Sequence, residues 1–210
     1  MQYRIPVVKP RHMKKIHNYS AIAVAIAALC FLATFKFPFW VIYLTAPQYP
    51  EGLTLYIWLH KVSGDVEIIN GLNHYIGMAI IDETQFPEFD ILPYAIGFMV
   101  GAGLLIAFLR KKKLLFFYTI FLVLFSILAI YDFWHWEYQY GHNLDPDAAI
   151  QVPGMSYQPP LIGFKQLLNF GAYSFPHGGG FFYISGVVIC CIASILEWRR
   201  GKKQLTPKIR

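Results

Sequence analysis

Four long apolar runs constrain this chain more than any other feature of its sequence. They cover residues 19–44, 91–109, 114–131 and 181–198. A helix needs about 20 apolar residues to cross about 30 Å of hydrocarbon, and the runs are near that length. Hydrophobic residues make up 56% of the 210 and charged residues only 14%, a composition that favours lipid as the main solvent. The sequence therefore predicts four transmembrane helices, the first kinked at Pro38.

The basic residues are confined to short segments that flank these runs. Fifteen of the eighteen Lys and Arg lie at 4–15, 110–113 and 199–210. Basic residues mark the cytoplasmic side of a membrane protein, so both termini and the turn at 110–113 are predicted to lie inside the cell. The net charge of +6 is then explained by basic residues that anchor and orient the spans, and no nucleic-acid partner is expected.

Two large loops, at 45–90 and 132–180, are predicted on the outer side. In the first loop, Ser63 is expected to cap a helix that begins near Asp65 and carries an apolar stripe. In the second, the third span is expected to stay helical as far as Gly141, and a short amphipathic helix is expected near residues 164–170. Three glycines at 178–180 should permit a sharp entry into the fourth span. The predicted fold class is an all-α membrane protein, one integral domain over residues 1–210, whose outer loops carry short amphipathic helices.

Most histidines, together with two methionines, fall in these outer loops. Imidazole and thioether without thiolate are ligands that suit copper, especially the cuprous ion, and all three cysteines lie inside apolar runs. On a helix, residues three or four apart share a face, which pairs His74 with Met78 and places Asp132 behind His135. The candidate copper ligands are His74, Met78, His135, His142, Met155 and His177. The alternative is packing, because a lone His or Met in an aromatic-rich surface loop is usually a packing residue with one satisfied hydrogen bond.

Two acids near the outer membrane boundary allow another interpretation. Asp132 and Glu137 can relay protons or form the polar end of a quinone site. No apolar run has a charge or a histidine at its centre, which argues against proton pumping, ion conduction and haem ligation within the bilayer. No phosphate loop, nucleophile elbow or His-Glu-x-x-His motif occurs. The sequence thus indicates an accessory protein rather than an enzyme.

Three segments carry a family resemblance: SGDVEIINGLNHYIGM at 63–78, FPEFDILPYAIGF at 86–98 and WEYQYGHNLDPDAAIQVPGMSYQPPLIGFKQLLNFGAYSFP at 136–176. The chain resembles a family of small four-span membrane proteins encoded in nitrous oxide reductase gene clusters of bacteria with the Sec-exported enzyme. The resemblance implies a place in the bacterial inner membrane, with both loops in the periplasm beside the copper reductase. It implies partners among the reductase and its maturation and electron-transfer proteins, but no set of catalytic residues.

Three roles follow as expectations. The first is an accessory protein in copper-site maturation or assembly of the reductase. The second is a docking module for electron transfer that binds quinol or a cytochrome, and the third is a structural scaffold.

Overall fold

The computed structural model describes residues 15–203, and within them the chain forms five α-helices and five β-strands. The basic positions predicted at 4–14 and 204–210 lie outside the described residues. The helices are α1 (Asn18–Ala33), α2 (Val66–Ile76), α3 (Glu88–Leu109), α4 (Lys112–His142) and α5 (Gly178–Lys203). The strands are β1 (Trp40–Ala46), β2 (Tyr49–Ile57), β3 (Val62–Gly64), β4 (Gly163–Leu167) and β5 (Phe170–Pro176).

Four helices in the described part of the chain are long and apolar enough to cross a membrane: α1 with the 3₁₀ turn after it, α3, α4 and α5. This confirms the prediction of four such helices. Large apolar side chains cover their outer surfaces, and Tyr94 and Phe108 are 81% and 82% exposed. Apolar surface on this scale suits a lipid environment better than water. Which end faces the cytoplasm stays a prediction.

α4 is longer than a bilayer requires. Its 31 residues span about 46 Å, about 16 Å more than the hydrocarbon layer. The apolar run at 114–131 is followed by a polar and aromatic extension at 132–142, where the helix ends. The predicted continuation of this span is therefore confirmed.

The prediction of an all-α fold is wrong, because the segments outside the spans build a five-stranded antiparallel sheet in the order β3-β2-β1-β5-β4. The first apolar run leaves the helical conformation before residue 40, and Trp40–Ala46 is a strand whose buried residues include Trp40, Ile42 and Ala46. This period of two is typical of a sheet with one covered face. The amphipathic helix expected near 164–170 is wrong too, since that segment forms β4 and the turn into β5.

The sheet stands directly on the α1–α5 helix pair. β1 follows α1, β5 precedes α5, and the two strands pair with each other. The amide of His177 donates to the Phe39 carbonyl at 3.0 Å, and the amide of Gly179 donates to the Pro38 carbonyl at 2.9 Å. A Cβ at Gly179 would lie 2.7 Å from the Phe37 carbonyl oxygen. The glycines at 178–180 thus begin α5 and let the two chain segments approach closely.

One face of the sheet is covered by α2 and the extension of α4. Trp40 donates its indole N–H to Ser174 Oγ at 2.7 Å, and its ring meets Phe133 of α4 at 5.3 Å. The apolar stripe predicted on α2 is confirmed, with Ile69 and Asn73 buried. The predicted Ser63 cap is wrong. Ser63 lies in β3, where its hydroxyl accepts from the Trp58 indole.

At the opposite end of the bundle, a buried glutamate joins the helices. Glu197 of α5 is fully buried, and its Oε1 accepts from the backbone amide of His17 at 3.0 Å and from the Ser20 hydroxyl at 2.5 Å. Arg200 pairs with the same oxygen at 2.9 Å, and Lys112 of α4 donates to the Glu197 carbonyl at 2.6 Å. A carboxylate at the positive end of the α1 dipole is a favourable arrangement. Three helices therefore meet at this residue.

The fold contains a second fully buried glutamate that lacks such partners. Glu137, in the extension of α4, has no hydrogen bond to either carboxylate oxygen. Glu197→Gln should destabilise the protein by about 2 kcal/mol, because it replaces charge-assisted bonds with neutral ones. Glu137→Gln should leave stability within about 1 kcal/mol of the parent or raise it, because no bond is lost.

Thermal unfolding of both variants in one detergent tests this pair, since the chemical change is the same and only the surroundings differ. An unfolding temperature that falls as far for Glu137→Gln as for Glu197→Gln would contradict it.

Candidate functional site

The structure brings together two of the six predicted copper ligands. Met78 and His142 line one open pocket of about 570 Å³, in which the other lining residues are Gly77, Ala79, Asn143, Leu144 and Asp145. The pocket lies where the C-terminal end of α2 meets the C-terminal end of α4.

Backbone hydrogen bonds hold these two helix ends together. The amide of Asp145 donates to the Gly77 carbonyl, and the amide of Ile150 donates to the Tyr75 carbonyl, both at 2.8 Å. The Tyr140 hydroxyl accepts from the Asn73 side chain at 2.9 Å and donates to the Ala79 carbonyl. The loop after α4 is therefore fastened to α2, and the pocket lies on that junction.

Met78 reaches this pocket because α2 ends at Gly77. Gly77 has φ +77°, the left-handed conformation that closes many helices, and the Met78 amide donates back to the Asn73 carbonyl. The predicted pairing of His74 and Met78 on one helix face is thus wrong, since Met78 lies beyond the helix. His74 stays exposed on α2 with its ring against Tyr75.

The ring of the pocket histidine is held by two contacts with Tyr138. His142 Nδ1 lies 2.9 Å from the Tyr138 carbonyl oxygen, and the two rings stack with centroids 4.0 Å apart. A carbonyl only accepts, so this contact favours the tautomer with the proton on Nδ1, in which Nε2 has the lone pair. Metal-binding histidines commonly donate their second ring N–H in this manner.

The remaining predicted ligands lie apart from this pocket. His135 is exposed on α4, between the ring of Tyr131 and the amide of Gln139, and Asp132 makes no hydrogen bond to it. Met155 lies in the loop before β4. His177 lies between β5 and α5, with its ring edge against Tyr56 and its Nδ1 buried without a partner.

Within residues 15–203 no group of three or more His, Cys, Asp or Glu side chains is arranged to hold a metal ion. Asp145 is exposed at the pocket, with its Oδ1 accepting from the Asp147 amide at 2.9 Å. The pocket therefore offers one imidazole and one thioether with a carboxylate nearby. Of these donors the thioether is the one that favours a soft ion such as Cu(I), while imidazole suits copper and zinc alike.

A second, apolar cavity of about 70 Å³ adjoins the pocket, and Met78 lines both. It lies between the sheet, α2 and α4, and Tyr157 contributes a buried hydroxyl with no hydrogen-bond partner. Tyr157 was not a sequence candidate. A tyrosine in an irregular Pro-rich loop gives no local sign that its hydroxyl will be buried.

Protein-family models, curated proteins and solved structures were each compared with this chain, and none of them matches it.

The turn at Gly77 can be tested by substitution. A Cβ there would lie 2.9 Å from the backbone N and O of Asp145, in addition to the strain of φ +77°. We expect Gly77→Ala to destabilise the protein by about 2 kcal/mol and to separate the loop from α2. Amide hydrogen exchange at Asp145 and Ile150, which donate across this junction, should then accelerate.

Gly154→Ala is the matched control. Gly154 has nearly the same φ, +76°, but nothing lies within 4 Å of a Cβ built on it. Equal acceleration of exchange in both variants would show that backbone strain, rather than contact with the loop, explains the effect.

Proposed function

We propose that this protein is an accessory protein of the bacterial inner membrane that handles copper for a periplasmic reductase of nitrous oxide respiration. Its role in this proposal is copper-site maturation or assembly of the reductase. The reaction itself belongs to the partner enzyme.

The convergence of Met78 and His142 carries the proposal. The two residues are distant in sequence, yet the junction of α2 and α4 places them in one open pocket. The contact between His142 Nδ1 and the Tyr138 carbonyl favours the tautomer in which Nε2 can act as the ligand. The pocket thus has the two donor types that favour the cuprous ion.

The openness of the pocket favours transfer over storage. Structural metal sites are usually closed by four protein ligands, whereas a site with few ligands leaves a position for an incoming group. An imidazole and a thioether in an open pocket can therefore share an ion with a ligand from a partner protein.

Two further observations support the proposed location in the inner membrane. The four apolar helices and the basic turn at 110–113 favour a multi-pass protein with the sheet on the outer side. The resemblance of residues 63–78, 86–98 and 136–176 to accessory proteins of nitrous oxide reductase gene clusters then connects this side to the copper reductase.

The first experiment is an anaerobic titration of the purified protein with Cu(I) against a chromogenic chelator. We expect one bound Cu(I), and we expect His142→Ala and Met78→Ala each to weaken binding about ten-fold. His135→Ala and Met155→Ala, which change the same residue types outside the pocket, should bind as the parent does. Unaltered binding in His142→Ala would remove the proposal.

A second experiment separates maturation from electron delivery. In a bacterium that carries the gene beside a nitrous oxide reductase, replacement by the His142→Ala variant should leave the reductase deficient in copper. A reductase with full copper content that is active only with an artificial electron donor would instead support the docking role.

A further inference from the structure

The extension of α4 has two faces, and only one of them is used within the fold. Phe133, Trp136 and Tyr140 pack toward the sheet and α2. On the opposite face, Tyr131, Trp134 and Tyr138 are 60%, 40% and 41% exposed. We call this exposed face, with His142 at its end, the α4 ridge.

The rings of the ridge are already arranged by contact with each other. The centroids of Tyr131 and Trp134 are 6.1 Å apart, those of Trp134 and Tyr138 are 5.6 Å apart, and those of Tyr138 and His142 are 4.0 Å apart. Side chains whose rings contact each other have lost part of their rotamer freedom, so a partner that binds them meets a smaller entropic cost. Tyr and Trp are also the residues that most often dominate binding energy at protein interfaces.

The ridge extends farther than lipid headgroups can cover. Headgroups add about 5–8 Å to each side of the hydrocarbon layer. At 1.5 Å per residue, Tyr138 lies about 10 Å and His142 about 16 Å along the helix from Tyr131. The outer half of the ridge therefore faces water rather than lipid.

The charge around the ridge selects a cationic partner. Residues 36–90 and 131–180 contain eleven Asp and Glu and three Lys, a formal charge of −8 with histidine neutral. Residues 131–164 contain no Lys or Arg. Asp132, which flanks the ridge on α4, and Asp145 and Asp147, in the loop after α4, are exposed. An acidic surface accelerates association with a basic protein, and aromatic faces attract Lys and Arg by cation–π contact.

We propose that the α4 ridge is the docking surface for a soluble, lysine-rich protein on the sheet side of the membrane. The aromatic rings supply the contact area, and the three aspartates supply attraction and orientation. A protein bound there lies beside the Met78–His142 pocket. The docking is nonetheless independent of copper binding, and it can be measured on metal-free protein.

The test uses the full chain in nanodiscs of zwitterionic phosphatidylcholine and a lysine-rich cytochrome c as the probe. We expect binding that weakens steeply as salt rises from about 20 to about 150 mM. The same cytochrome with its lysines acetylated should not bind. Equal binding of the acetylated probe would overturn the proposal.

Location is tested with two triple variants that remove the same charge. Asp132→Asn, Asp145→Asn and Asp147→Asn together should weaken binding about ten-fold. Glu67→Gln, Glu83→Gln and Asp90→Asn together should have a much smaller effect, because these exposed acids lie on α2, on the turn before α3 and on α3. Equal losses would mean that overall charge, not the ridge, attracts the probe.

The aromatic contribution is tested without a change in charge. Trp134→Ala with Tyr138→Ala should weaken binding about five-fold while the unfolding temperature stays as in the parent. If that pair lowers the unfolding temperature, Trp134→Leu, which keeps apolar bulk, gives the same comparison. Parent-like binding in the aromatic variants would overturn the proposal. So would sedimentation showing that the ridge joins two copies of this chain.

Discussion

The antiparallel pairing of β1 with β5 is the constraint on which the rest of this structure depends. Each strand continues a membrane-length helix, and the pairing runs from Trp40 with Pro176 to Thr45 with Gly171. The α1–α5 helix pair therefore sets the position of the sheet. The sheet in turn provides the apolar face against which α2 and the extension of α4 pack. Without this pairing the segments outside the four long helices would have no common core.

The candidate site is a product of that packing. Trp40 holds the sheet to α4 through Phe133, and Tyr140 holds α4 to the end of α2. The loop after α4 then returns to Gly77 through the Asp145 amide. Met78 follows the end of α2, and His142 is the last residue of α4. The two residues become neighbours because these helix ends are joined at this junction. The same arrangement leaves the other side of α4 exposed, and so the ridge and the pocket share His142.

Two buried glutamates show how differently the two ends of the molecule use charge. Glu197 accepts from α1 and pairs with Arg200, so its carboxylate serves the packing of the helices. Glu137, in the extension of α4, is fully buried with neither oxygen bonded. Burial of an unpaired carboxylate is costly, and an apolar setting accepts the neutral acid far better. The other acids of residues 45–90 and 132–180 are exposed or partly exposed, and there they shape the field that a partner meets.

Much of the helical framework could be predicted from the sequence, whereas most of the sheet could not. The sequence predicts the apolar stripe of α2 and the continuation of the third span as far as Gly141, one residue short of the observed end, because helix length and periodicity are local properties. The segments that became β1 and β4 were read as helix, because a short apolar run does not distinguish a strand from a helix end. The sequence shows the residue types of the candidate ligands and their positions in the chain. It does not show that Met78 and His142 share a pocket, because that depends on the left-handed turn at Gly77.

The sequence by itself determined four apolar helices, the segregation of basic residues to their flanks and the accumulation of acids between them. Each of these depends on residues that are close together in the chain. Only the tertiary structure decided that Trp40 lies opposite Pro176 in the sheet and that Met78 and His142 line one pocket. The same is true of the bond from the His17 amide to Glu197, 180 positions away. Contacts between distant residues depend on how all the elements pack at once, and no local pattern specifies that outcome.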